Sequence, residues 1–125
     1  MARVLLVFLG GGVGSSARYL CGLWAARTFG SAFPFGTLLV NVVGSLLMGA
    51  LVAFEPPGLS ATARLALGTG VLGGFTTYSA FNHETLLLAR QGQWSVAAVN
   101  AGVTLAGCLV AGAAGYAVAR WVLAP

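Results

Sequence analysis

The hydrophobic residues of this chain fall into four long runs separated by short polar stretches. The runs cover residues 4–26, 36–54, 62–89 and 96–122. A helix of about 20 apolar residues crosses the hydrocarbon layer of a bilayer, and the second run carries no charge at all. The pattern predicts an all-α integral membrane protein, with four transmembrane helices forming a single domain over residues 1–125.

The third run contains a polar stretch that an uninterrupted helix would avoid. Residues 73–84 begin with a glycine pair, which raises the entropic cost of a helix, and continue with three hydroxyl residues, Thr76, Thr77 and Ser79. A helix break at membrane depth survives only where the freed backbone groups are buried in protein or line a watery path. The stretch therefore predicts a broken third helix and a binding or permeation site beside it.

Composition supports the membrane assignment and excludes several kinds of function. Hydrophobic residues make up 58% of the chain and charged residues 6%, whereas a soluble domain has about 25% charged residues. The net charge of +4 comes from six scattered arginines, and nucleic-acid binding would need basic residues clustered on one face. We expect no nucleic-acid partner.

The sequence also lacks the sets of residues that enzymatic catalysis needs. The chain has two glutamates and a single histidine, His83. They offer no paired carboxylates, no second zinc ligand and no base for a serine nucleophile. Glycine-rich stretches near residues 10–14 and 68–73 lack the acidic residue that a dinucleotide site needs about 20 positions later. These glycines instead indicate close helix packing, and the sequence predicts a protein that is not an enzyme.

The cysteines, the first hydrophobic run and the prolines each lead to a further expectation. Cys21 and Cys108 lie in apolar runs and indicate no disulfide framework. No small-residue cleavage site separates the first run from the rest, so we expect no removable signal peptide. Pro56 and Pro57 are expected to end the second span sharply.

Polar residues inside the other spans are regularly spaced. Asn41 and Ser45 are four residues apart on the second span, and Asn100, Thr104 and Cys108 repeat at the same interval on the fourth. This interval places side chains on one face of a helix. Such polar faces either bond neighbouring helices or form the wall of a pore, and the spacing leaves both interpretations open.

The arginines predict an unusual membrane topology. With a cytoplasmic N-terminus, three arginines (Arg3, Arg64 and Arg120) would face the cytoplasm and two (Arg27 and Arg90) the other side. That is almost no bias under the positive-inside rule, so the chain can insert both ways and two opposite copies can pair. Arg18 lies inside the first span, where it either snorkels to the surface or attracts an anion to a vestibule.

Two segments are similar to the signatures of a known family. Residues 36–44, which include Asn41, resemble the second-helix signature of the small fluoride channels, the Fluc or CrcB family. Residues 73–81 together with Glu84 resemble its third-helix signature. The first helix matches more loosely, through Gly11, Gly14, Arg18 and Tyr19. The resemblance covers the full length of the chain.

The resemblance implies a fold and a function. It implies an antiparallel, dual-topology homodimer in the cell (plasma or inner) membrane, with two narrow pores through which fluoride leaves the cell passively. The membrane potential would drive the anion out with about 2.3 kcal/mol per 100 mV. The implied partners are fluoride, the lipid bilayer and a sodium ion held at the dimer centre.

The resemblance also implies roles for individual residues. Arg18 corresponds to the basic vestibule residue and Glu84 to the acidic residue past the break. The carbonyls of Gly73 and Thr76 correspond to the ligands of the structural sodium ion. Tyr78 stands where the family usually has phenylalanine, and Ala80 replaces a hydroxyl residue. The fluoride path would be formed by Asn41, Thr77, Tyr78, Ser79, Phe81, Thr104 and Cys108.

Two other functions compete with a channel. A small coupled transporter with dual topology would share this length and layout, but it depends on a titratable glutamate in the first span, and residues 4–26 contain none. A non-conducting subunit of a larger complex would explain the packing glycines but not the polar stripe or the clustered break. Flux that depends on a proton gradient would favour the transporter, and absence of flux from the purified protein would favour the subunit.

Overall fold

The structure is a computed structural model that describes residues 1–54 and 58–124. Glu55 and the predicted end of the second span at Pro56 and Pro57 lie outside the described residues. The helices are α1 (Ala2–Phe29), α2 (Phe35–Ala53), α3 (Ala61–Arg64, π-helical Leu65–Leu72 and Gly73–Phe75), α4 (Tyr78–Arg90) and α5 (Trp94–Leu123).

Three of these helices, α1, α2 and α5, are long and apolar enough to cross a membrane. They confirm the prediction of a multi-pass, all-α membrane protein. The predicted third span, residues 62–89, is divided between α3 and α4. Glycines turn the chain between helices: Gly30 follows α1 and Gly92 follows α4, both with positive φ (78° and 77°).

The helix break lies just after the glycine pair. Gly73 has helical backbone angles (φ −63°, ψ −35°), and Gly73–Phe75 continue the helix as one α-helical turn. The chain becomes extended at Thr76 (ψ 158°) and Thr77 (φ −156°, ψ 116°). The break is therefore within the expected stretch, but its two residues are threonines, while Gly74 packs against α1.

Close contact between α1 and α3 depends on glycines. A Cβ atom built at Gly10 would lie 2.9 Å from the carbonyl oxygen of Ala66, and one at Gly74 would lie 2.5 Å from that of Gly11. One built at Gly14 would overlap the carbonyl of Val71. These contacts confirm that the glycine-rich stretches serve helix packing, which in a bilayer depends on small residues at the interface.

The packing of α2 against α5 repeats this arrangement. A Cβ atom at Gly49 would overlap the carbonyl of Gly112, and one at Gly115 would overlap that of Leu46. On its other face, α2 receives the helix break, because a Cβ atom at Gly44 would collide with the methyl group of Thr76. Small residues on α2 thus fix the position of the break as well as that of α5.

We predict that Gly14→Ala strongly destabilises the fold. The added methyl group has backbone atoms of α3 on its path, including Phe75 N at 2.8 Å, and backbone cannot rotate away as a side chain would. Overpacking of this kind costs about 1–3 kcal/mol or more, so thermal unfolding in detergent should begin at a clearly lower temperature. Gly12→Ala is the matched control, since nothing lies within 4 Å of its Cβ position. Equal melting temperatures for the two variants would contradict this packing.

Candidate functional site

The side chain of Asn41 bridges the helix break. Its Oδ1 accepts a hydrogen bond from the Thr77 backbone N–H (2.7 Å), and its Nδ2 donates to the Thr77 carbonyl (3.0 Å). In a continuing helix, the Thr77 N–H would bond to the carbonyl four residues earlier, that of Gly73. Asn41 replaces this bond from α2 and is itself buried (7% exposed). Its amide therefore holds the extended conformation in place.

Side chains of the two threonines complete the break. Thr76 Oγ1 donates to the Leu72 carbonyl (3.0 Å), which also accepts from the Thr76 N–H at the end of α3. Thr77 Oγ1 accepts from the Ala80 N–H (3.1 Å) and so caps the first turn of α4. A helix C-terminus and a helix N-terminus consequently meet at Thr76 and Thr77. The first carries a partial negative charge and the second a partial positive charge.

A cavity of about 300 Å³ lies beside the break, and we call it the central cavity. It contains six of the seven residues assigned to the fluoride path, which come from α2, the break, α4 and α5. Amide, hydroxyl, thiol and aromatic groups thus share one wall. The lining residues are Asn41, Gly44, Ser45, Met48, Thr76, Thr77, Tyr78, Phe81, Thr104, Leu105 and Cys108.

The two aromatic rings of this cavity lie close together on the first turn of α4. The ring centroids of Tyr78 and Phe81 are 5.5 Å apart and the planes are inclined by 57°. Phe81 is half-buried, whereas Tyr78 is 79% exposed in a single chain. The edge of an aromatic ring carries the positive part of its quadrupole. Edges of this kind are suited to contact an anion.

Ser79 is the seventh residue assigned to the path, and it lies apart from the others. It is exposed, and its Oγ lies 3.2 Å from Thr77 Oγ1. Among the described residues, it does not belong to the lining of the central cavity. Its contact with the cavity is therefore indirect, through the hydroxyl of Thr77.

A second cavity of about 410 Å³, the outer cavity, brings together both residues assigned to the vestibule. Arg18 and Glu84 line it with Thr37, and Thr37 Oγ1 donates a hydrogen bond to Glu84 Oε1 (2.7 Å). Glu84 Oε2 is buried and has no hydrogen-bond partner in the described part of the chain. Thr77 lines both cavities, so the break separates them.

The two residues assigned to sodium lie on different surfaces. Thr76 lines the central cavity, while Gly73 is exposed on a groove of about 530 Å³ between α2 and α3. The neighbouring carbonyl of Gly74 accepts a hydrogen bond from Ser15 Oγ (3.3 Å). The Gly73 carbonyl does not receive its usual helical hydrogen bond, because the Thr77 N–H donates to Asn41 instead.

The three polar residues of α5, Asn100, Thr104 and Cys108, have different surroundings in the structure. Asn100 is 1% exposed and bonds α4 through Thr85, so it connects helices. Thr104 and Cys108 line the central cavity and so belong to its wall. The interpretation as bonds between helices therefore applies to Asn100, and the pore-wall role of Thr104 and Cys108 stays a prediction.

Several residues of the site were not predicted from the sequence. Thr37 precedes Asn41 by four residues, so extending the spacing of Asn41 and Ser45 along α2 would have placed Thr37 on the same face, but it would not have identified Glu84 as its partner. Met48 and Gly44 line the cavity, but small and apolar residues are too common in membrane helices to signal this.

Comparison with known proteins finds one matching family and several relatives that share a single name. Residues 5–116 match the family model described as "CrcB-like protein, Camphor Resistance (CrcB)". The chain is 51% identical to a "Fluoride-specific ion channel FluC" of Anaeromyxobacter sp. (strain K), over 98% of each chain. It is 50% identical to the protein of that name in Anaeromyxobacter dehalogenans (strain 2CP-1 / ATCC BAA-258), over 98% of each, and 48% identical to one in Sorangium cellulosum (strain So ce56), over 99% of each.

Proposed function

This chain belongs to the CrcB family, and we propose that it is a fluoride-selective ion channel that exports fluoride passively across the cell membrane. The observation that carries the proposal is its similarity, over nearly its whole length, to relatives named fluoride-specific ion channels. These relatives are channels, which is consistent with the expectation that the chain is not an enzyme. The central cavity supports the proposal because it offers the chemistry that a small anion needs.

Fluoride must exchange its water shell for protein donors along this path. The Asn41 amide has two N–H groups, and only one is taken by the Thr77 carbonyl. Among the described residues, the second N–H has no acceptor and remains for a ligand in the cavity that Thr104 and Phe81 also line. Each of these donors is held by a helix rather than by a loop. A preorganised set of this kind lowers the cost of removing water from the anion.

Positive groups on the same route attract an anion, while the Glu84 carboxylate also lines the outer cavity. The N-terminus of α4 begins at the cavity wall, and its partial positive charge stabilises anions. Arg18 lies in the outer cavity, from which an ion would approach Thr77. In our proposal, Arg18 gathers fluoride in the outer cavity, and the ion then passes Thr77 and Asn41 into the central cavity.

We further propose four membrane spans per subunit, with α3 and α4 forming the third, and an antiparallel dual-topology homodimer. Support comes from the arginines, because each end of the helix bundle carries some of them. Reporters fused to the C-terminus should show comparable populations on both sides of the membrane, and two extra arginines after Ala124 should favour one side. A single orientation of the unmodified chain would contradict the antiparallel homodimer.

A sodium ion at the dimer centre is also part of the proposal, with the carbonyls of Gly73 and Thr76 as ligands. The fit is chemically reasonable: these carbonyls end a half-helix, Gly73 is exposed, and the Thr77 N–H bonds to Asn41 instead of Gly73. Oxygen ligands suit a hard cation. The ion would neutralise the carbonyls where two subunits meet.

A crystal structure of the purified dimer tests the sodium proposal. Density for an ion with short contacts to the Gly73 and Thr76 carbonyls is expected, and it should persist in Thr76→Ser because the ligand is main chain. A water with ordinary hydrogen-bond distances, or a dry apolar contact, would refute the site.

Growth of fluoride-sensitive cells tests the proposed function as a whole. Cells that lack their own fluoride exporter should grow on fluoride medium when they express this chain, and should not grow with an empty vector. Unchanged fluoride sensitivity, despite membrane expression, would count against the channel. Fluoride efflux from liposomes that requires an imposed proton gradient would favour the coupled transporter.

A further inference from the structure

A chain of hydrogen bonds connects α4 to α5 behind the central cavity. Thr85 Oγ1 donates to the Phe81 carbonyl (2.7 Å), Asn100 Nδ2 donates to Thr85 Oγ1 (2.8 Å), and Thr104 Oγ1 donates to Asn100 Oδ1 (3.4 Å). Phe81 and Thr104, at the two ends, line the cavity, whereas Asn100 is not among its described lining residues. Asn100 joins two parts of the cavity wall from outside it.

The burial of Asn100 explains why its side chain is hydrogen-bonded on both sides. Only 1% of the residue is exposed, and a buried amide without partners costs free energy comparable to the lost hydrogen bonds. Both polar atoms of the side chain are therefore directed, one towards Thr85 and one towards Thr104. The separation of α4 from α5 at this level follows from the length of the Asn100 side chain.

The bonds also determine where the Thr104 proton lies. A hydroxyl has one proton to donate, and in a helix threonine commonly gives it to the carbonyl four residues earlier. Here it goes to the Asn100 side chain across 3.4 Å, which is long for a bond whose usual length is about 2.7–2.8 Å. The bond is long, so an anion in the cavity can compete with Asn100 Oδ1 to accept the hydrogen bond of this hydroxyl.

We propose that Asn100 is a positioning residue for the ion path. While no ion is near, Asn100 Oδ1 accepts the hydrogen bond of the Thr104 hydroxyl and holds this hydroxyl in place. When an anion enters, the hydroxyl donates to the anion instead. Through Thr85, Asn100 also holds the Phe81 segment opposite that hydroxyl. This inference rests on the proposed function and assigns a separate task to a residue outside the cavity.

A double-mutant cycle tests the coupling between Asn100 and Thr104. Asn100→Leu and Thr104→Val are each expected to slow fluoride efflux from liposomes about tenfold, the rate equivalent of one lost buried hydrogen bond. If Asn100 acts through Thr104, the double variant should be within about threefold of the slower single variant. Independent actions would multiply to about a hundredfold.

Controls separate positioning from general damage to the fold. Asn100→Leu combined with Ser15→Ala, whose hydroxyl bonds the Gly74 carbonyl between α1 and α3 and has no bond to Asn100 or Thr104 in the described residues, should give effects that multiply. Thr85→Val removes the other link and should also couple to Thr104→Val, while Thr85→Ser keeps the hydroxyl and should restore the wild-type rate. These Thr85 variants decide the question even if Asn100→Leu fails to fold.

The outcomes also distinguish this inference from the proposed function. Absence of fluoride efflux from the wild-type protein would overturn both. Efflux from the wild type, together with multiplying effects of Asn100→Leu and Thr104→Val, would overturn the role of Asn100 alone. A fluoride efflux rate of Thr85→Ser below that of the wild type would also overturn the role of Asn100 alone.

Discussion

Asn41→Asp is expected to reduce fluoride efflux at least about 100-fold while the protein remains folded. The aspartate keeps an oxygen to accept the Thr77 N–H, so half of the connection across the break survives. It loses the Nδ2 donor to the Thr77 carbonyl and the free N–H that we assign to fluoride. A carboxylate about 4 Å from a passing anion would add roughly 4 kcal/mol of repulsion, which alone exceeds a 100-fold change in rate.

A matched substitution controls for the introduced charge. Asn82 is an exposed asparagine on α4 that lies outside the described lining of both cavities. Asn82→Asp should therefore reduce efflux far less than Asn41→Asp. Efflux from reconstituted liposomes and elution volume in gel filtration are the two measurements. Rapid efflux through Asn41→Asp would remove Asn41 from the ion path.

Phe81→Ile is the second change with a large expected effect. Isoleucine retains an apolar side chain at this position, but it has no ring edge to face an anion. Losing the positive ring edge should slow efflux roughly tenfold, since contacts that depend on the ring quadrupole are worth about 0.5–1.5 kcal/mol in aromatic pairs. The neighbouring ring of Tyr78 has its centroid 5.5 Å away and would have to change rotamer to take the place of Phe81.

The control for this experiment is the same substitution elsewhere in the chain. Phe8 lies on α1 and is 72% exposed, so Phe8→Ile should conduct at nearly the wild-type rate. If Phe81→Ile also conducts normally, aromatic edges do not contribute to this path. A loss of monodispersity in Phe81→Ile alone would instead show that the ring is needed for folding.

The sequence predicted the helices well because the length of a hydrophobic run corresponds directly to the length of a membrane helix. It also located the break, since glycines and hydroxyl residues are disfavoured together inside a helix. It missed which residues would form the break: Gly73 stays helical, and Thr76 and Thr77 become extended. The decisive bond comes from Asn41, 36 positions away, and local propensity contains no information about that partner.

Contacts between helices were the least predictable part of the site. A helix that is apolar on every side gives no signal of which face is turned to its neighbours. The bonds from Thr37 to Glu84 and from Asn100 to Thr85 depend on that rotation. The π-helical turns at Leu65–Leu72 have no recognised sequence signal either. Regular spacing of polar residues was the useful guide, and it identified Asn41, Thr104 and Cys108.

Ion efflux from liposomes that contain only this protein tests the central claim most directly. Vesicles loaded with potassium fluoride and diluted into fluoride-free buffer should release fluoride when valinomycin allows potassium to leave. Release should need no proton gradient, and chloride-loaded vesicles should release far less of their anion. Absence of fluoride release, equal release of chloride, or release that requires a proton gradient would contradict a passive fluoride-selective channel.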